Sequence, residues 1–209
     1  MPGVSFQLTI DPVALVLLVV AIVVVAVFVF RSFRDRTIEV TVDIPLGGLG
    51  RLTFNTDREV ARLAHQAWIE IVTRKAGLPF DDEHDVIEEV FNSWYELFRQ
   101  LRELSKDVPP PSLRTKHARA LIKTLVDAMN LGLRPVLTRW QARYRAWLAA
   151  ERKALSGEWE EPQVTQRRYP HYEEMLADIR KVSGELQAFA VALDRIAQRA
   201  TKEADKAGD

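Results

Sequence analysis

Eighteen consecutive residues, Val13 to Phe30, contain no charge, glycine or proline, and no other stretch constrains the chain as strongly. Nine are valine, three leucine, three alanine, two phenylalanine and one isoleucine. As a helix rising about 1.5 Å per residue the run reaches roughly 27 Å, close to the hydrocarbon thickness of a bilayer. Its fifteen Val, Leu, Ile and Phe residues favour insertion by roughly 0.3 to 0.6 kcal/mol each at a helix centre, an upper bound of roughly 4.5 to 9 kcal/mol. Valine is a modest helix former in water, but in lipid a helix alone lets one segment satisfy its own backbone. A buried strand or core helix is the competing reading, and the transmembrane helix is preferred.

Flanking charge sets the expected orientation. Residues 1–12 carry only Asp11, whereas Arg31, Arg34 and Arg36 follow the run. The positive-inside rule then puts the short N-terminus outside and the larger C-terminal part in the cytoplasm. A cleaved signal peptide wants a basic start and small residues at its end. Here the run closes on Phe28-Val29-Phe30-Arg31, so an uncleaved anchor is expected. Ala14, Ala21 and Ala26 are not spaced four apart, so no close helix-pairing motif is present.

The remaining 170 or so residues suffice for one domain with a hydrophobic core. No cysteine is present, which excludes a disulfide framework and thiolate metal sites. Ile38, Val40, Val42 and Ile44 alternate with polar residues as a half-buried strand does. Pro45 to Gly50 reads as a turn into a second strand through Leu52 and Phe54, giving a β-hairpin within a juxtamembrane segment 31–55. A phosphate-cradling loop would have to open a helix, and these glycines lie between strands.

Five helices are expected over 56–200. Thr56 and Glu59 are spaced as a capping box for the first, which Gly77 and Pro79 end. Asp81 or Asp82 caps the second, which stops before Pro109-Pro110-Pro111. The third starts near Ser112 and ends or kinks at Asn130 to Pro135. The fourth carries Leu137, Trp140, Tyr144 and Trp147, followed by a long polar loop, Ser156 to Tyr169. The last begins at Pro170 and bears an a/d seam of Met175, Ile179, Val182, Leu186, Phe189, Leu193, Ile196 and Ala200. That seam suits an intramolecular bundle, preferred here, or a homo-oligomer through residues 175–200. Residues 201–209 form a polar tail. The fold class is therefore mainly α: one transmembrane helix at 13–30, a hairpin and a five-helix bundle.

Net charge is zero, but it is unevenly spread. Asp81 to Glu103 holds eight acids against two arginines, and Arg114 to Arg145 holds eight bases against Asp127. Complementary helix faces explain this, as does a basic surface for anionic lipid, nucleotide or nucleic acid. Arg134, Gln141 and Arg145 share one face of the fourth helix, with Arg139 and Arg143 nearby and Arg74 and Lys75 after the first. Arginine forks beside aromatics suit phosphate recognition and also structural cation–π packing. These seven residues are the candidate binding surface.

Acids around His84 and Glu88 are expected at a helix start from the macrodipole, and no metal site or cofactor is expected. Arg58 and His65 match the loose spacing of helical ribonucleases, although His65 beside Trp68 reads as a packed histidine. Trp159 is the tryptophan expected to be exposed, as a docking point for a protein partner.

The segment Leu131 to Arg145, with Arg74-Lys75-Ala76 and Ser93-Trp94-Tyr95 upstream, resembles segments of bacterial membrane-anchored proteins. The resemblance implies a bacterial inner membrane and carries no activity. The expectation is a non-enzymatic scaffold, sensor or recruitment component, for example of a bacterial defence or envelope-stress system. The alternatives are a membrane-anchored nuclease using Arg58 and His65, and an effector that oligomerises to disrupt the membrane.

Overall fold

The computed structural model describes residues 12–34, 38–155 and 159–206, without the side chains of residues 12, 14, 28–34, 38 and 199–206. Two compact units divide the chain, residues 1–36 and 37–209. Among the described residues there are six helices of 12 or more residues, two short ones and one antiparallel two-strand hairpin, and 75% helix makes the class mainly α.

The first unit holds α1, Pro12–Arg34. Its large apolar residues at 13, 15–20, 22–25 and 27 are 49% to 64% exposed. Among the described residues no helix is long and apolar enough to cross a membrane. The flanking arginines fall elsewhere: the side chains of Arg31 and Arg34, and all of Arg36, lie outside the described residues, as do residues 1–11.

The second unit starts with β1 (Ile38–Ile44) and β2 (Gly50–Thr56), paired from Ile38↔Thr56 to Ile44↔Gly50. The alternation does what period two dictates: Val40, Val42 and Ile44 are buried, while Glu39, Thr41 and Asp43 face solvent. On that polar face Thr41 and Thr53 share a hydrogen bond of 2.9 Å across the strands.

Helix α2 (Arg58–Val72) is capped by Asp57, whose carboxylate accepts the Val60 N–H at 2.8 Å. The expected capping box is thereby corrected, because Thr56 is already committed to the ladder as the last residue of β2. Helix α3 (Ile87–Lys106) is also not capped by Asp81 or Asp82, since Val86 is its N-cap residue. Its first N–H, from Ile87, instead donates to the side-chain carbonyl of Gln166, 79 residues away.

The expected third and fourth helices are one continuous helical path. Helix α4 (Lys116–Asp127) passes through a π segment (Ala128–Leu133), α5 (Arg134–Val136), a second π segment (Leu137–Gln141) and α6 (Ala142–Ala154). Dihedrals remain right-handed helical at the joins, −78°/−45° at Leu133 and −57°/−43° at Arg134. Proline inside an α-helix collides with the carbonyl four residues back and lacks a donor. Widening to the i→i+5 pattern accommodates Pro135, and the Arg134 N–H accordingly donates to the Met129 carbonyl.

Helix α7 (Pro162–Gln166) lies in the expected polar loop, and α8 (Tyr172–Lys206) starts two residues after Pro170. Met175, Ile179, Val182, Leu186, Phe189, Leu193 and Ile196 of α8 are all buried. They face α2 and β1, so the heptad seam is filled from within the chain. The helix continues six residues past Ala200, and residues 207–209 lie outside the described residues.

One close contact explains the glycines at 47 and 132. The 3-10 turn Leu46–Gly48 lies against the π segment 128–133. A Cβ on Gly132 would stand 2.5 Å from Leu46 Cδ1, and a Cβ on Gly47 would stand 2.8 Å from Leu131 Cβ. Gly47 also holds φ +64°, which a side chain disfavours. The turn is thus closed by protein, with Leu46 fully buried.

Candidate functional site

The seven candidate binding residues lie on two stretches, 134–145 and 74–75. Arg139 forms ion pairs with Glu174 and with Asp178 at 3.0 Å, and its guanidinium lies 4.5 Å from the Trp140 ring centre. Trp140 Nε1 donates to the same Asp178 carboxylate at 2.8 Å. Arg139 therefore ties the second π segment to α8. Arg145 donates to the Asn92 side chain on α3 at 2.6 Å, and Arg134 covers the Phe98 ring at 5.3 Å.

Arg74 pairs with Glu70 one turn back at 2.7 Å, and Lys75 pairs with Asp85 at 2.6 Å. Gln141 is half-buried and Arg143 is exposed. The seven residues are thus distributed over contacts to α2, α3, α8 and the 79–85 connection. No single point gathers their guanidinium and ammonium groups. Arg58 and His65 are both exposed on α2, with the His65 ring 5.5 Å from that of Trp68.

The acids of residues 81–89 act as a hub of cross-links. Asp81 accepts the N–H groups of Glu83 and His84 at 2.9 and 3.3 Å and pairs with the His84 ring at 2.9 Å. Those bonds, the Glu83 N–H first, hold the Asp81 carboxyl below the usual carboxylate range. In return, the hydrogen bond and charge of Asp81 raise the His84 imidazole above its ordinary value. Asp82 pairs with Arg180 of α8 at 2.6 Å, and Glu88 with Arg152 of α6 at 2.9 Å. Among the described residues no group of three His, Cys, Asp or Glu side chains is arranged to hold a metal ion.

Beside this hub lies a cavity of about 190 Å³, walled by Tyr144, Leu148, Arg152, Trp159 and Pro162 among others. Tyr144 joins an aromatic cluster with Phe91, Trp147 and Tyr169. Burial and the nearby Glu88 carboxylate push its hydroxyl well above the usual tyrosine range. Trp159, at the mouth, is 82% exposed, as its place in the acidic stretch 158–161 implied.

Sequence reading missed Gln166. This side chain is fully buried, accepts from Ile87 and donates to the Asp85 carbonyl at 3.0 Å. Its only signal was Pro162, a favoured first residue of a helix. No protein-family model, curated protein or solved structure matches the chain.

Proposed function

We propose that this chain is a single-pass membrane protein of a bacterial inner membrane. Its helical bundle faces the cytoplasm and recruits or scaffolds a protein partner there. The observation that carries the reading is the exposure of α1: large apolar side chains on every side of the described stretch stand 49% to 64% open. Such a surface is stable only when something apolar covers it, and a bilayer covers a helix all round. Arg31, Arg34 and Arg36 supply the orientation.

The recruiting role is supported by how the bundle uses its polar groups. Arg139, Arg145, Arg152, Arg168 and Arg180 all bind side chains of other elements, which suits a rigid platform. Trp159 over its cavity is the contact offered to the partner, since exposed aromatics beside pockets anchor interfaces.

Because the chain has no cysteine, single cysteines report topology. In intact cells a membrane-impermeant maleimide should label Ser5→Cys and spare Lys181→Cys until lysis. The reverse pattern overturns the orientation, and labelling of both overturns the span. A protein recovered with the full-length chain should be lost with Trp159→Ala; equal recovery overturns the docking point.

A further inference from the structure

We propose that the end of the bundle built from the α3–α4 connection and the first turns of α2 docks onto an anionic lipid surface. The inference rests on the membrane reading above and adds which face meets the headgroups.

The residues are gathered by the fold. Ile38, where the chain enters the bundle, pairs with Thr56, and α2 begins two residues later at Arg58. Arg62, in the second turn of α2, feels the charge of Asp107, which ends α3. From Asp107 the chain passes through Pro109 to Pro111 and the 3-10 turn Ser112–Arg114 into α4, which packs against α2, α3 and β2. Residues 57–62, 102–107 and 113–119 therefore share the end of the bundle at which the chain enters.

Seven basic and four acidic side chains lie on those three segments. Arg62 and Lys106 pair with Glu59 and Glu103 one turn away on their own helices. Arg58, Arg102, Arg114, Lys116 and Arg119 are exposed, and no ion pair of theirs occurs among the described residues. Asp57 is occupied in capping α2. Leu113, between Ser112 and Arg114, is 40% exposed. At the opposite end the arginines are satisfied by carboxylates of other elements, as Arg139, Arg152 and Arg180 show.

Unpaired cations around an exposed leucine match a headgroup layer, where the ammonium and guanidinium groups meet lipid phosphates and the leucine enters the acyl boundary. Chain length supplies the second argument for lipid as the occupant. Only residues 35–37 lie between Arg34 and Ile38, a reach of roughly 14 Å when extended. With α1 in a bilayer, this end of the bundle is the end kept within reach of the headgroups. Anionic lipid strengthens such contact by about fivefold for each Lys or Arg near the surface, and salt weakens it.

The test uses the full chain carrying Pro110→Cys with an environment-sensitive fluorophore, in vesicles of phosphatidylcholine alone or with three parts in ten phosphatidylglycerol. The expected result is a blue shift only with phosphatidylglycerol, reversed at high salt and absent from a label at Lys181→Cys. Arg114→Glu, Lys116→Glu and Arg119→Glu together should abolish the shift, and the corresponding glutamine variants should reduce it, with circular dichroism unchanged. Equal emission in both vesicle types overturns the docking face. So does a shift that survives charge reversal, or a full chain that binds a single-stranded RNA probe and shows no shift in either vesicle type. Flotation after carbonate extraction separates the two readings. Chain that floats without the shift refutes docking alone, whereas a salt-sensitive shift on chain that carbonate strips refutes the span alone.

Discussion

Helices α1 and α8 are both long and rich in aliphatic residues, yet the protein treats them in opposite ways. Along α8 the large apolar residues other than Val191 keep to one stripe, and Leu186, Phe189, Leu193 and Ile196 are fully buried while Arg180, Lys181 and Arg195 face water. Along α1 the apolar residues occupy every side of the described stretch, and each stands about half open. A stripe is completed by one neighbouring surface, here α2 and β1. An all-round apolar helix needs a solvent rather than a neighbour. What separates the two helices is therefore where their polar residues fall, and this decides which is finished by its own chain.

The largest expected effect breaks that comparison at α1. Val20→Lys with Val24→Lys places two charges near the middle of the run, each costing about 2.5 to 3.5 kcal/mol at a helix centre. Roughly 5 to 7 kcal/mol is comparable with the whole insertion energy of the run, so the carbonate-resistant membrane fraction should collapse. On α8 the exposed Val191→Lys should change stability by less than about 0.5 kcal/mol. The converse substitution, Leu186→Ala, should cost about 2 to 5 kcal/mol in urea unfolding and leave membrane retention unchanged. Retention of the double-lysine chain, or its loss in Leu186→Ala, would remove the distinction between the helices.

A smaller effect sharpens the comparison by testing a part of the bundle closed by shape rather than by a long stripe. Gly132→Ala puts a methyl 2.5 Å from Leu46 Cδ1. Overpacking of this kind costs about 1 to 3 kcal/mol. Leu46→Ala alone should destabilise through the void it leaves. The two together should be less harmful than their sum, because the second removes the atoms that the first strikes. Chemical unfolding of the four species in a double-mutant cycle measures this coupling, and strict additivity would show that the turn does not press on the π segment.

Periodic patterns were legible in the sequence and cross-chain contacts were not. The strand alternation at Val40, Val42 and Ile44 and the α8 seam follow from side-chain direction within one element, so both could be read in advance. At Asn130 to Pro135, where an end or kink is expected, the chain takes up a π segment, because the rule for proline assumes α geometry and the wider turn relaxes that assumption. Capping of α3 by Gln166 could not be read, since the donor and acceptor are 79 residues apart. The arginines of the candidate surface were visible as charges, but whether Arg139 faces solvent or Glu174 depends on how α8 crosses it. For the same reason Arg114, Lys116 and Arg119 gained interest only once their neighbours were known to leave them unpaired.

The smallest expected effect concerns His84, in the acidic stretch that leads into α3. Its imidazole is raised by the hydrogen bond and charge of Asp81, with Glu83 and Asp85 adding to the field. A folded value above the unfolded one means that the pair stabilises the fold in full below the ordinary histidine range. That contribution is lost as pH rises through the raised value. Both side chains are well exposed, 78% and 48%, so solvent screens the pair and melting should barely respond. The titration itself should respond: NMR of the His84 ring should give a midpoint above the usual histidine value, and Asp81→Asn should lower it. Asp81→Asn leaves the carboxylates of Glu83 and Asp85 in place, so only part of the displacement should disappear. A midpoint unmoved by that substitution would show that the general negative charge of residues 81–89, rather than the Asp81 contact, holds the proton on His84.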